Sequence, residues 1–323
     1  MSPILHSVSC PVCDGDVPKR LGLAETSEKT RDLGIDGVHV VRCFRCGLFY
    51  ADPMPAWTVA DLAALYDHDY YPAMTAWWEN IRARVNPVRR LGALQHYCGS
   101  SISRFLEVGC GPGYALKEAL RRGWQAYGQD VSPVASSVGA SLGIDVFIGP
   151  LEQGPYADSS FDAVYLDSVI EHLPTPVAFL RELWRLLKPG GCAYIVCPNA
   201  DSLASVFMEF WARLRSSDRS ARICPLRPPY HVVGFGPHAM RWAAERAGFA
   251  VVQILVDKDY QTRRFSQRLM ASRPPGLRAG LKQAGWTVVY WLGERAGRGM
   301  NLEAILRKPN TGGRSCCTSD FSR

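Results

Sequence analysis

The stretch "RFLEVGCGPGYALKEAL", Arg104 to Leu120, decides the fold. A short apolar run leads into three glycines spaced two apart, and an amphipathic helical pattern follows at once. Strand, glycine loop and helix open an α/β nucleotide-binding unit, whose ligand sits at the carboxyl end of the strand. A dinucleotide fingerprint needs its third glycine where Tyr114 stands, so this loop is built differently. Gly109, Gly111 and Gly113, with Cys110 between the first two, let the backbone approach a ligand closely. Glu107 places a carboxylate where a pyrophosphate would be repelled and a cationic group would fit.

Outward from this loop the pattern alternates. Apolar runs at 105–108, 126–127, 146–148, 163–166 and 193–197 read as strands, and helical segments near 115–122, 133–142 and 176–187 separate them. That predicts a doubly wound, Rossmann-like α/β sheet. The second strand ends in "AYGQDVS", where Asp130, followed by Val131, can take both ribose hydroxyls of a nucleoside. A nucleoside without pyrophosphate, joined to a cationic amino-acid part, describes S-adenosylmethionine.

The run from Phe105 to Pro198 resembles the class I S-adenosylmethionine-dependent methyltransferases. "LEVGCGPG" stands as their first motif, "GQD" as the second-strand acid, "SSFDAVYLDSVIEHLPTP" as the fourth-strand motif and "LLKPGGCAYIVCPN" as the fifth, in the right order. The resemblance implies a seven-stranded methyltransferase sheet, with further strands at 251–256 and 302–307. It also implies that Gly109 and Gly111 flank the methionine part, Asp130 holds the ribose, Leu151 and Glu152 border the adenine, and Asp167 and Ser168 line the floor near the sulfonium. Pro150 stands where the family often has an acid, so an adenine amino contact would come from backbone or from Glu152. For Leu151 the alternative is plain core packing.

Four of the 11 cysteines form two C-x-x-C pairs, "CPVC" (Cys10, Cys13) and "CFRC" (Cys43, Cys46). Two such knuckles complete a tetrahedron of thiolates, which predicts a small N-terminal zinc ribbon with a structural Zn2+ and no open coordination position. The long gap between the pairs leaves room for a hairpin with a floppy tip near 25–36. Stripping zinc is expected to unfold this module and spare the rest.

At 323 residues, 47% of them hydrophobic and 21% charged, the chain suits one large core with a small appendage. The expected division is 1–52 zinc-ribbon-like module, 53–98 helical linker or cap, 99–310 methyltransferase domain with insertions near 201–236 and 258–300, and 311–323 disordered tail carrying Cys316 and Cys317. The start "MSPILHSVSC" lacks a signal-peptide pattern and no apolar run is long enough to span a bilayer, so the expected location is cytoplasmic. The net charge of +7 is scattered apart from the late basic segments at 213–227 and 263–282.

Methyl transfer is an in-line displacement, so holding the acceptor on line dominates, and an alcohol acceptor also needs a base. Two histidines are candidates: His172 in "IEHLP" after the fourth strand, and His231, preferred, in "RPPYHVVGFGPHAM". The paired-cysteine start, the methyltransferase core, "YHVVGF" and "GRGMNLEAILRKP" together are similar to methyltransferases of bacterial surface-glycan and secondary-metabolite pathways. That similarity implies O-methylation of a sugar or other small-molecule hydroxyl. Two alternatives remain: a ribosomal RNA methyltransferase with a zinc recognition module, and a catalytically silent binding protein on the same fold. Against the first, no aromatic platform is interleaved with basic residues and "DSVIE" stands where a base-methylating enzyme carries an "NPPY"-type motif, so a nucleic-acid partner is not expected. In the second insertion Leu277, Leu281, Ala284 and Val288 form a helical stripe beside Trp286, Tyr290, Trp291, Arg278 and Lys282. Core or dimer packing gives such a stripe, and so does a peripheral helix at the inner membrane face near a lipid-linked acceptor.

Overall fold

The apolar runs on either side of the glycine loop become strands buried on both faces, as parallel strands are when helices cover the sheet. The computed structural model describes residues 4–32, 35–56, 61, 86–99, 102–133, 135–214, 218–227, 230–256 and 277–310. The tail at 311–323, most of the cap at 53–98 with its tyrosine cluster, and much of the insertion at 258–300 lie outside the described residues.

The strands are β1 (Ile4–His6), β2 (Pro18–Ala24), β3 (His39–Cys43), β4 (Phe49–Asp52), β5 (Met54–Ala56), β6 (Arg104–Val108), β7 (Gln125–Asp130), β8 (Val146–Ile148), β9 (Phe161–Asp167), β10 (Leu187–Pro198), β11 (Arg219–Ser220), β12 (Val233–Gly234), β13 (Ala250–Val256) and β14 (Asn301–Arg307). The helices are α1 (Glu28–Asp32), α2 (Asn86–Cys98), α3 (Tyr114–Arg121), α4 (Ala135–Leu142), α5 (Pro176–Leu186), α6 (Leu203–Leu214), α7 (Pro237–Arg246) and α8 (Leu277–Arg295).

Seven strands form the main sheet in the order β8-β7-β6-β9-β10-β14-β13. Neighbours from β8 to β10 are parallel, and β14 runs antiparallel to both β10 and β13. The order turns back between β6 and β9, so the switch point lies where the glycine loop leaves β6. Side chains alternate faces along each strand. Leu106, Val164, Ile195 and Leu306 join the core under α5 and α7, whereas Phe105, Tyr165, Tyr194 and Ile305 join the core under α2 and α3.

The N-terminal module is tied into the body. Its sheet runs β11-β2-β3-β4-β12, and β11 and β12 come from the insertion at 201–236, about two hundred residues downstream. Cys10, Val12, Val41 and Phe49 share one continuous core with Leu106, Leu180 and Phe235. A floppy tip is expected near 25–36; in its described part the Thr30 hydroxyl and the Ser27 N–H both donate to the Leu226 carbonyl, at 2.7 and 3.0 Å, while residues 33–34 lie outside the described residues. With the Ser27 hydroxyl, three donors aimed at one buried carbonyl anchor α1, a turn whose five residues are too few to be stable alone.

Candidate active site

The glycine loop is shaped by two carboxylates. Glu107, buried at the end of β6, accepts the Leu116 N–H at 2.8 Å and so fixes the first turn of α3 against the strand. Burial pushes its pKa well up, opposed by that N–H. Glu107 therefore shapes the loop from behind. Asp130, at the end of β7, accepts the Gly111 N–H and the Ser132 N–H, both at 2.8 Å, one on each oxygen. Burial raises its pKa against these two bonds. Each carboxylate oxygen keeps a lone pair for a hydroxyl, the pattern a ribose needs. Val131, half-buried, follows.

Gly109 has φ 65°, and a Cβ there would stand 2.4 Å from Val169 Cγ2. The loop can thus lie flat beneath the segment after β9 only with glycine at this position. Gly113 caps α3 in the left-handed region, and its N–H closes the turn onto the Cys110 carbonyl at 2.7 Å. The Cys110 thiol is buried against Gly128 of β7, so only its backbone borders the loop. In the turn Leu151–Gln153, Leu151 is buried in the core, as its packing alternative has it, and Glu152 is exposed.

At the end of β9 the Ser168 hydroxyl donates to Asp167 Oδ1 at 3.0 Å, and Asp167 meets a group that sequence reasoning missed. Arg90, on α2 and 1% exposed, donates Nη1 to Asp167 Oδ2 at 2.6 Å and to the Tyr165 hydroxyl at 3.2 Å, and Nε to Glu303 Oε1 at 2.9 Å. Arg89 and the Tyr194 hydroxyl complete the shell around Glu303. Burial opposes the charge of Arg90, and Tyr165, Asp167 and Glu303 restore it, so the guanidinium stays charged. Burial alone would lift Glu303, yet Arg90 and Arg89 hold it below the usual carboxylate range. One signal was available: "NLEAILR" sets a single acid inside a strand-like apolar run, which requires a buried cationic partner.

The two candidate histidines come together. His172, in the turn Ile170–His172, and His231 have ring centroids 4.8 Å apart and pack edge to face. The buried Glu171 places Oε1 3.7 Å from His231 Nε2. The His172 Nδ1 lies 3.4 Å from the Tyr230 carbonyl, and the Ser168 backbone also bonds the ring. Burial lowers the pKa of His172 to about 4; burial, then His172 and Arg227, push that of His231 well down. Both rings are neutral at pH 7. Ser168 (φ 62°) and Tyr230 (φ 60°), two of the four non-glycine residues with positive φ among the described residues, flank the pair in left-handed backbone. Strand β12, two residues past His231, pairs with β4, and the Val232 N–H donates to the Glu171 carbonyl at 2.9 Å. The N-terminal sheet thus positions His231.

In that sheet Cys10, Cys13, Cys43 and Cys46 bring their sulfurs within 4.8 Å of one another, with Cys10–Cys46 at 3.5 Å and Cys13–Cys43 at 3.4 Å. A zinc ion with bonds of about 2.3 Å would set its thiolates roughly 3.8 Å apart, so a small adjustment of this cluster fits the ion.

Residues 106–195 match the family model described as a methyltransferase domain. The ubiquinone biosynthesis O-methyltransferase of Xanthomonas oryzae pv. oryzae (strain PXO99A) is 34% identical over 141 residues, which cover 40% of this chain and 59% of the relative. That of Xanthomonas campestris pv. campestris (strain B100) is 30% identical over 162 residues, covering 45% of this chain and 68% of the relative. The chain thus spans little more than half the length of the first of these relatives. Among solved structures, the crystal structure of the cyclase SpnF matches with a TM-score of 0.52 at 21% identity, over 80% of this chain and 99% of that one, an agreement of fold. The domain match and a relative covered over two thirds of its length at 30% identity show the family: the chain belongs to the class I S-adenosylmethionine-dependent methyltransferases.

Proposed function

We propose that the chain methylates a hydroxyl of a sugar or other small molecule, in a surface-glycan or secondary-metabolite pathway, with His231 as general base. The observation that carries this reading is the Glu171–His172–His231 cluster, which begins four residues after Asp167 ends β9 and two after Val169, whose side chain packs over Gly109 of the glycine loop. The relatives' names, O-methyltransferases, support oxygen as the methylated atom.

Bound S-adenosylmethionine would supply a methyl group on an electrophilic sulfonium. The chain's own part is placement. Asp130 would hold the ribose, the backbone around Gly109 and Gly111 the amino-acid part, and Asp167, fixed by Arg90, the floor. His231, neutral because it is buried, accepts the acceptor's hydroxyl proton, and Glu171 Oε1 offsets the charge of a proton at Nε2. The same three side chains also meet the distances of a cation site. We further read the four cysteines as a structural zinc site whose function is to hold the sheet that carries His231.

The test is to incubate the protein with methyl-labelled S-adenosylmethionine and cell extract, then separate nucleic acid, protein, lipid-linked glycan and small molecules. Label in a glycan or small-molecule fraction that is lost in His231→Gln supports the reading. Label that ribonuclease removes would overturn it in favour of RNA methylation.

A further inference from the structure

Helix α6, "LASVFMEFWARL", is inside out. Its one acid, Glu209, is buried, where it accepts the Ser220 hydroxyl at 2.9 Å and pairs with Arg213 at 3.3 Å. Its apolar side chains face outward instead: Phe207, Met208, Phe210, Trp211 and Leu214 are 36 to 61% exposed. Helix α8 packs beside it with the same inversion. Thr287 and Gly293 are buried, while Val288, Trp291 and Leu292 are exposed. Rings join the two helices, with Phe207 edge-on to Trp286 at 5.7 Å and Trp286 stacked on Tyr290 at 5.7 Å. A soluble helix pair normally turns its charged face to water. The side chains of 277–283, with the first half of the stripe expected in α8, lie outside the described residues.

The exposed charges at this face have one sign. Among the described residues of α6 and α8, the exposed ionic groups are Arg213 and Arg295, the latter 4.2 Å over the Trp291 ring, whereas Glu209 is buried and Glu294 is half-buried. An aromatic centre rimmed by arginines is the chemistry of an anionic bilayer surface, where Trp and Tyr sit at headgroup level and guanidiniums meet phosphate. No helix among the described residues is long and apolar enough to cross a membrane, so the contact would be peripheral.

The face also lies at the right end of the sheet. Helix α6 follows the carboxyl end of β10, and α8 leads into Asn301, which pairs with Pro198 at that same end. The Leu203 N–H donates to the Arg298 carbonyl at 2.9 Å and Asn199 Nδ2 to the Gly299 carbonyl at 2.8 Å, pinning both helix ends beside the carboxyl ends of the strands, where the candidate site lies. We infer that α6 and α8 form a docking surface for the interface of an anionic membrane, which would hold the active-site end of the sheet against the headgroups. The surface stands on its own geometry, whatever the acceptor is.

Co-sedimentation tests it, with the full chain and vesicles of phosphatidylcholine alone or with about a third phosphatidylglycerol. The expected result is binding to the mixed vesicles that weakens at raised salt, with a blue shift of tryptophan emission. The double variant Phe210→Glu/Trp211→Glu should weaken binding about tenfold or more, since two anchors are lost and two like charges added. Its melting temperature and its affinity for S-adenosylmethionine should stay unchanged, and Phe44→Glu, at an exposed position in the N-terminal module, should bind vesicles like the parent. Absence of binding to the mixed vesicles, equal binding by the double variant, or a dimer in light scattering that the double variant dissolves would each overturn the inference. Because the readout is binding, a chain inactive on every acceptor still tests it.

Discussion

Replacing Arg90 by Met tests the buried network most directly. The guanidinium makes polar contacts of 2.6, 2.9 and 3.2 Å to Asp167, Glu303 and Tyr165, and it is almost fully buried. Breaking a buried pair from one side costs about 3 to 5 kcal/mol, because the partner charge stays desolvated. Here Glu303 keeps Arg89 and Tyr194, and the Asp167 side chain is 19% exposed, so the low end applies, about 3 kcal/mol. Urea unfolding followed by circular dichroism would measure it. Adding Asp167→Asn removes the charge that Arg90 leaves behind, so the double variant should be more stable than the sum of the single losses by about 1 to 2 kcal/mol. The pH dependence has a definite sign. Glu303 is depressed in the fold, so its contribution is present above its unfolded pKa and lost as pH falls through the lower folded value. The gap between parent and variant should therefore be widest near neutrality and narrow in acid. A loss under about 1 kcal/mol, or strict additivity with Asp167→Asn, would refute the network as an energetic unit.

Three further outcomes follow from the same geometry. Gly109→Ala must hold a Cβ at φ 65° and 2.4 Å from Val169 Cγ2, so calorimetry should show affinity for S-adenosylmethionine falling about tenfold; an unchanged affinity would contradict the loop reading. Because His172 and His231 are both depressed, turnover should be flat around neutrality and fall only well below pH 6.5, with His231→Gln losing roughly a hundredfold or more in kcat and little cofactor affinity. Below pH 6.5 the unfolded chain takes up protons these rings refuse, so stability should also decline with acid down to about pH 4. Chelation of the cysteine site should lower one cooperative melting transition and cut kcat more than cofactor affinity, since β4 carries β12; two separate transitions would show an independent module.

The parts of the molecule legible in the sequence are those with local pattern. The glycine loop, the alternation from β6 to β10, Asp130 and the two cysteine pairs each announce themselves within a few residues, because strand period and turn chemistry are short-range. Strands β11 and β12 did not. They are two residues each, and they pair with Leu23 and Tyr50 across about two hundred residues, so no periodicity marks them. Arg90 was hidden for a different reason, since a guanidinium in a helix reads as solvated until its partners on β9 and β14 are placed. The acids gave the better clue. Glu303 and Glu209 each stand alone in an apolar run, and each proves to be buried with an arginine close by.

The long-range pairings also change what the N-terminal module is for. A separate ribbon would place its metal far from the chemistry and leave its contribution to partner binding. Here β4 pairs with β12 while the Ala51 N–H donates to the Val232 carbonyl at 3.0 Å, and the same Val232 N–H donates to Glu171. One residue beyond His231 is thus gripped from two sides, by the cysteine sheet and by the turn that carries Glu171 and His172. A loop residue bearing a base is otherwise free to wander by more than the fraction of an ångström that positioning tolerates. The four cysteines sit about two hundred residues from His231 in sequence, yet through β4 they fix the backbone on which its ring stands. On the proposed reading, a metal held by these cysteines would act on His231 through the rigidity of its backbone alone, so its removal should lower turnover although the site is closed to substrate.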